Sequence, residues 1–425
     1  MSSRTPILVV CFVFPPCKGI GGRRWAKFAK GLATVGRSVH VVHAACAQDH
    51  KGSLWTADVQ HPNIITHPLP QRYPTVLFKR PLVNLYEKLT YRFWSRVLPL
   101  ITKGNWLDRS ALWREQLVTT CDELIRRHGI RHVIVSGAPF HLLVHALELK
   151  RKNPGLVLIG DLRDPWTWVD AYGLGGLSDG RAAEEKAMER NVMATYDHVL
   201  APDRGMIDHL LATYGSRGAR FSHIPHPVDP DDLEPLEVLP RDQCFRIVYA
   251  GSLYSTGDFN AYLTEVLASF HALRERSAEV AERTRFDLFV LGEDIGAFAE
   301  RVEKAGFGRH IHFHAPVPPR QLYAEIRRAD LVMVYTPDNK KDILTTKFAE
   351  LFLLGTPLLV VGSAGRVVEA VVEAGAGDAV RLDELSRELP AFVLRERKMK
   401  KPSGPGPQAV LLGSVCDSLE ALLAD

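Results

Sequence analysis

The chain has 425 residues, of which 46% are apolar and 24% charged, and its formal net charge is +4. That length calls for two domains or more, and the balance is that of a globular chain, not of a disordered one. A charge so close to zero excludes binding to nucleic acid by bulk electrostatics. The six cysteines (11, 17, 46, 121, 244 and 416) are scattered without a C-x-x-C pair, which excludes a zinc or disulfide framework and points to a reducing compartment.

The first element is the apolar run Ile7–Phe14, a strand of the kind buried on both faces. It is too short to cross a bilayer and its flanks do not fit a signal peptide, so the chain reads as cytoplasmic. Pro15 and Pro16 end it. Gly19-Ile20-Gly21-Gly22-Arg23-Arg24 follows, then an amphipathic helix over Trp25–Val35 and a strand at Val39–Val42. This strand–glycine loop–helix–strand unit is Rossmann-like, but it lacks G-x-G-x-x-G and an acidic residue after the second strand, so a dinucleotide does not fit. Gly21 and Gly22 either let a ligand approach the backbone or make a tight turn.

Residues 61–120 break the alternation. From Arg72 to Arg114 nine basic residues (72, 79, 80, 88, 92, 96, 103, 109 and 114) face only Glu87 and Asp108, with eight aromatics interleaved. Leu82–Leu98 has helical spacing, with Leu82, Leu85, Tyr86, Leu89, Phe93 and Val97 on one face and Lys88, Arg92 and Arg96 beside it. A basic amphipathic helix with aromatics suits an anionic membrane surface; the competing reading packs the aromatics on the domain and leaves the charges solvated. Nucleic acid is disfavoured, because no RRM, KH or helix-turn-helix pattern accompanies the patch.

Regular order resumes with helix Leu117–His128, strand His132–Ser136 and Gly137-Ala138-Pro139-Phe140-His141, which sets His141 at a strand's carboxyl end. It could donate to a substrate or serve as a cap or core residue. Strand Leu156–Ile159 runs into Asp161-Leu-Arg163-Asp164-Pro165-Trp166. The spacing D-x-x-D with an enclosed arginine argues against a metal; Asp164 suits substrate hydroxyls, and the alternative is an Asp–Arg pair bracing the loop. Elements at 181–194, 198–201, 204–214 and 221–224 close this half.

Pro225-His226-Pro227-Val228-Asp229-Pro230 reads as a linker. A second β–α alternation follows, with strand ends at Gly251-Ser252 and Gly292-Glu293, a strand at His310–His314 leading to Val317, and a strand at Leu331–Tyr335. Thr346 is placed as a helix N-cap, Gly355 as the residue that stops that helix, and Leu358–Val361 as the next strand. A helix start favours anions; Lys347 adds charge there, and Glu350 lies a turn further in. This pairing suits the phosphates and ribose of a nucleotide. The alternation predicts an α/β protein of two Rossmann-like, doubly wound parallel-sheet domains facing a cleft: 1–228, with the basic insert 72–114, and 229–402, followed by a terminal helix in 403–425 packing back on the first domain.

These motifs resemble those of GT-B glycosyltransferases, most closely the retaining nucleotide-sugar enzymes of family 4, over nearly the whole chain. Phe14-Pro15-Pro16 with the glycine loop is similar to that family's N-terminal mark. Asp161–Trp166 is similar to a signature of its surface-polysaccharide subgroup, and Tyr249–Tyr254 and Thr345–Glu350 with Gly355-Thr356-Pro357 to its donor domain. The resemblance implies transfer of a sugar from a UDP- or GDP-sugar to a hydroxyl of a saccharide or lipid-linked acceptor, with retention, without metal or other cofactor. It assigns donor contacts to Gly21, Gly22, Gly251, Ser252, Gly292, Val317, Thr345, Thr346, Lys347 and Glu350, with the ribose on Glu350. His141, Asp164 and Asp342 take the sugar or acceptor. The basic insert is similar to the membrane-docking part of members with lipid-linked acceptors. Departures are Asp342 in place of the family's first Glu, His226 in its hinge, and no basic residue in Tyr254–Asp258; Arg23, Arg24 or Lys347 would compensate. Two alternatives stay open: a catalytically weak GT-B protein acting as a membrane-associated partner, and a nucleotide-sugar epimerase.

Overall fold

A computed structural model describes residues 4–424 apart from 47–50, 80, 169–172, 216–217, 234–238, 241–242, 253–255, 292–294, 316, 339–340, 342–346, 401 and 403–409. The chain divides into two compact units: Met1–Pro227 with Leu412–Asp425, and Val228–Leu411.

The first unit is built on seven strands: β1 (Ile7–Val10), β2 (Val39–Ala44), β3 (Ile64–Leu69), β4 (His132–Gly137), β5 (Val157–Leu162), β6 (His198–Ala201) and β7 (Arg220–His223). Their order is β3-β2-β1-β4-β5-β6-β7, and every pairing is parallel. Parallel strands need crossovers, and crossover helices cover both faces, so β1 is apolar and buried at every position. Leu8, Val10, Val133 and Val135 pack with Trp113, Leu117, Leu142 and Trp166 on one side. Ile7, Val9, Val41 and Ile134 pack with Trp25, Phe28 and Leu32 on the other. That second layer is completed by the last helix, Leu412–Leu422, whose Leu412, Val415, Cys416 and Leu419 are buried there. Glu420 on this helix is gripped by Arg37 through both carboxylate oxygens (2.6 and 2.7 Å).

Strand β3 lies in the stretch where sequence alternation fails. Its pattern, Ile-Ile-Thr-His-Pro-Leu, is buried only at its two ends, and Pro68 argues against a strand. An edge strand tolerates both, since proline there costs no ladder bond that a neighbour needs. Strand β1 also stops at Val10, and the apolar residues up to Phe14 continue as loop.

Helix Leu85–Ile101 starts at Asn84, whose side chain accepts from the backbone N–H of Glu87 (2.9 Å). Arg181 donates to the carbonyls of Pro99 and Gly104 and so caps its far end. The face turned inward carries Tyr91, Trp94 and Leu98, against Tyr73 and Leu77. The face expected to be apolar is therefore turned outward: its Leu85, Tyr86, Leu89 and Phe93 are 71%, 77%, 55% and 57% exposed, and Leu100, just past the predicted stretch, is 84% exposed. Among the described residues, no helix is long and apolar enough to cross a membrane.

The second unit holds β8 (Phe245–Ser252), β9 (Thr284–Leu291), β10 (Ile311–His314), β11 (Leu331–Tyr335), β12 (Leu358–Val361) and β13 (Gly377–Val380). The order is β10-β9-β8-β11-β12-β13, again all parallel. Helix Lys347–Leu354 joins β11 to β12 and ends at Gly355, whose φ of 73° is the left-handed conformation glycine adopts at a helix stop.

Candidate active site

In each sheet the strand order reverses between its first and fourth strands, β1/β4 and β8/β11. In parallel α/β sheets the carboxyl ends of the strands at such a point form the natural ligand site.

In the first unit that edge is organised by Asp161, the last residue but one of β5, which is fully buried. Arg24 meets it through Nε (3.1 Å to Oδ1) and Nη2 (2.9 Å to Oδ1). Trp25 Nε1 and Ser136 Oγ donate to Oδ2 at 2.7 and 3.1 Å. Arg24 also donates to the carbonyls of Ile224 and Pro225, each at 2.9 Å. One ion pair thus ties the helix after the glycine loop to β4, β5 and the chain beyond β7. A buried charge tolerates this position only because every polar atom of the pair is matched. Arg24 is thereby committed to the protein, so it is not the compensating phosphate donor expected from the sequence.

Arg163 does for the glycine loop what Arg24 does for the helix. Its guanidinium donates to the carbonyl of Gly21 and to that of Ala138 (2.7 Å). A Cβ at Gly21 would stand 2.4 Å from Arg163 Nη1, and one at Gly22 would stand 3.2 Å from the carbonyl of Val13. The room left by these glycines is filled by the protein itself, which is a structural reason for them beside the expected donor contact. Asp164 lies next to this clamp, its Oδ2 3.4 Å from Arg163 Nε and its side chain 30% exposed. Burial pushes its carboxyl pKa up, against the pull of Arg163. It is the one carboxylate of the Asp161–Trp166 segment with solvent access. His226 faces the same arginines: burial, then Arg24, Arg23 and Arg163, hold its imidazole far below the usual pKa and therefore neutral.

His141 sits elsewhere. Its Nε2 lies 2.6 Å from Glu185 Oε1, and its backbone N–H donates to Asp108 Oδ2 at 3.1 Å. Glu185 also accepts from Trp166 Nε1 (2.7 Å) and from the backbone N–H of Asn105 (2.5 Å). Burial alone would lower the pKa of His141, but Asp108 and Glu185 outweigh it and the net shift is upward. The arrangement is a buried ion pair that fixes the turn after β4, which gives His141 a structural role beside the substrate contact expected of it.

In the second unit, Gly251 and Ser252 end β8, and Glu350 is buried in the first turn of helix Lys347–Leu354. A helix joining parallel strands runs against them, so its N-terminus and Lys347 belong to the sheet's carboxyl edge. Thr336, just past the end of β11, is buried with its Oγ1 unpartnered among the described residues. A buried hydroxyl in that state is a ready contact for a polar ligand. Beneath lie Tyr262 and Tyr335, stacked at 4.7 Å. Val317 is half-buried between β10 and helix Pro319–Arg328. Gly292, Asp342, Thr345 and Thr346 lie outside the described residues. Sequence reasoning gave Arg24 a different role and passed over Trp25, Ser136 and Thr336. Arg24 and Trp25 stood in view as part of the glycine loop and its helix, but nothing local marks a partner at residue 161.

No family model matches the chain, and none of the curated proteins does. Solved structures do. A sucrose-phosphate synthase from Thermosynechococcus elongatus aligns over 99% of this chain and 95% of its own, with a TM-score of 0.61 and 14% identity. The lipopolysaccharide outer core galactosyltransferase WaaB aligns over 99% of both chains, with a TM-score of 0.60 and 12% identity. A Listeria monocytogenes protein described as a candidate UDP-N-acetylglucosamine 2-epimerase covers 99% and 96%, with a TM-score of 0.58 and 12% identity. At such identities the likeness is one of fold: two parallel-sheet α/β domains, as in GT-B glycosyltransferases.

Proposed function

We propose that this protein is a glycosyltransferase that moves a sugar from a UDP- or GDP-sugar to a hydroxyl of a saccharide or lipid-linked acceptor, with retention. The observation that carries the reading is the second unit's carboxyl edge. There a helix N-terminus bearing Lys347, a buried Glu350 in its first turn, the Gly251-Ser252 strand end and the hydroxyl of Thr336, unpartnered among the described residues, belong to one sheet edge at its switch point. The glycosyltransferases among its structural neighbours favour the same activity.

Charge develops on the leaving diphosphate as the glycosidic bond breaks, so the groups that matter are those that favour an anion there: the helix N-terminus and Lys347, with Thr345 and Thr346 as further donors. Glu350 takes the ribose hydroxyls, for which a carboxylate that only accepts is suited. Gly251, Ser252 and Gly292 border the donor and Val317 the base. Asp342 faces the sugar, and Asp164 is the acceptor-side carboxylate. No metal is needed in this reading, and the leaving phosphate itself helps to deprotonate the acceptor. Retention rests on the motif resemblance at Thr345–Glu350.

The outward face of helix Leu85–Ile101 supports contact with an anionic membrane surface, in keeping with a lipid-linked acceptor. Leu85, Leu89, Phe93 and Leu100 form one exposed stripe, flanked by exposed Lys88, Arg92 and Arg96. Three such cations are worth about 3 kcal/mol near an anionic leaflet, and each apolar side chain inserted adds up to about 1.5–3 kcal/mol.

A nucleotide-sugar epimerase is the second reading, favoured by the Listeria neighbour. Incubation of the protein with a panel of UDP- and GDP-sugars, with and without acceptors, separates the two by NMR of the products. Transfer that requires an acceptor and keeps the anomeric configuration supports the first reading. A changed sugar without acceptor replaces it with the second, and no reaction with any donor removes both.

A further inference from the structure

Two imidazoles and a carboxylate meet on the outer edge of the second sheet, and the donor reading uses none of them. Among the described residues strand β10 is the edge strand and pairs with β9 alone. In that ladder His312 stands opposite Asp287. His314 lies two residues on and therefore on the same face. His314 Nε2 is 2.8 Å and His312 Nδ1 3.5 Å from the same oxygen, Asp287 Oδ1. The ligand atoms of the three residues all lie within 4.8 Å of one another.

We propose that Asp287, His312 and His314 form a three-ligand site for a divalent transition ion of the zinc, cobalt or nickel kind, with its remaining position open to solvent. Such ions bind imidazole nitrogen and carboxylate oxygen at about 2.0–2.2 Å, which places neighbouring tetrahedral ligands roughly 3.4 Å apart. The two separations from Oδ1 bracket that value, and the two imidazole nitrogens lie within 4.8 Å of one another, so an ion draws the two rings together as it binds. The ligand set selects the class: imidazole suits zinc, nickel and copper, whereas magnesium and calcium require oxygen ligands.

The surroundings hold the ligands in place. Asp287 is buried, and its second oxygen, Oδ2, accepts from Arg246, which orients Oδ1 toward the histidines. The His314 ring stacks on Phe289 with centroids 4.7 Å apart. Supporting contacts of this kind fix ligand orientation in metal sites. The side chains of His312 and His314 are each 39% exposed, so an ion can reach them from solvent. Arg246 opposes the ion's charge, which makes the affinity moderate and the binding reversible. An ion here would pin the edge strand to β9, three residues before Val317.

The test uses the full-length, tag-free, chelator-treated protein titrated with Co2+ and followed by its visible absorption, with Zn2+ in parallel by calorimetry. One ion per chain with the strong visible bands of tetrahedral or five-coordinate Co2+ is expected. The single variants His312→Ala and His314→Ala should each lose at least tenfold in affinity, and the double variant should lose the bands. Both histidines are part-exposed edge residues, so circular dichroism serves to confirm that the variants fold. No saturable binding, or binding unaltered in the double variant, overturns the proposal. No nucleotide is present, so either outcome leaves the glycosyltransferase reading untouched.

Discussion

Replacing Asp161 by alanine probes how the first unit holds its ligand edge. The substitution removes the partner of Arg24, Trp25 and Ser136 together and leaves a guanidinium in the interior with the carbonyls of Ile224 and Pro225 and the face of Phe28. Breaking a buried pair from one side costs about 3–5 kcal/mol, because the remaining charge keeps its desolvation penalty. That is a large part of the roughly 5–15 kcal/mol that holds a typical domain together. All seven tryptophans (25, 55, 94, 106, 113, 166 and 168) belong to the first unit, so tryptophan fluorescence during urea unfolding reports on that unit. The Asp161→Ala midpoint should fall by the equivalent of about 3–5 kcal/mol. Asp161→Asn keeps an acceptor oxygen and should fall less, and Trp25→Phe, which loses one bond to a charged acceptor, by about 1.5–3 kcal/mol. A fluorescence transition shifted by less than about 1 kcal/mol in Asp161→Ala would falsify the claim that this pair braces the edge, since that is the range of an exposed ion pair.

Three further outcomes follow from the geometry. The folded-state pKa of His141 is raised above its ordinary 6.5, so its pairing with Glu185 stabilises the fold fully below that pH and fades as pH rises through the folded value. His141→Gln should therefore flatten the fall in first-unit stability between neutral and alkaline pH, as read by urea midpoints; an unchanged slope contradicts the assignment. Gly21→Ala should lower stability by about 1–3 kcal/mol, because the new methyl collides with the Arg163 guanidinium; a neutral effect means that Arg163 is not clamped there. Leu89→Glu with Phe93→Glu should leave folding intact and abolish flotation with vesicles of anionic lipid, whereas flotation unaffected by the pair removes the membrane surface from the reading.

Much of the architecture was legible because parallel sheets write themselves as short apolar runs separated by amphipathic helices. Gly355 marked its helix stop for a local stereochemical reason. What escaped was non-local. Strand β3 is an edge strand carrying Pro68, so it lacks the buried run by which the others announce themselves. The Arg24–Asp161 pair spans 137 positions, and the contact between Arg163 and Gly21 spans 142; no spacing rule reaches so far. Helix Leu85–Ile101 was visible as a helix, but which of its two aromatic-bearing faces turns inward depends on Tyr73 and Leu77. His141 illustrates the same limit: its place at a strand end suggested chemistry, and its buried partner Glu185, 44 positions away, could not be read from it.

The central claim is that helix Lys347–Leu354 grips the donor nucleotide, and isothermal calorimetry with UDP and GDP on the wild-type and Glu350→Ala proteins tests it most directly. A carboxylate bonded to the ribose hydroxyls is worth about 1.5–3 kcal/mol, which corresponds to roughly a ten- to hundredfold change in Kd. The account predicts one nucleotide bound per wild-type chain and a loss of that size in Glu350→Ala with the fold intact. No binding of either nucleotide at millimolar concentration, or the same Kd in both proteins, contradicts it.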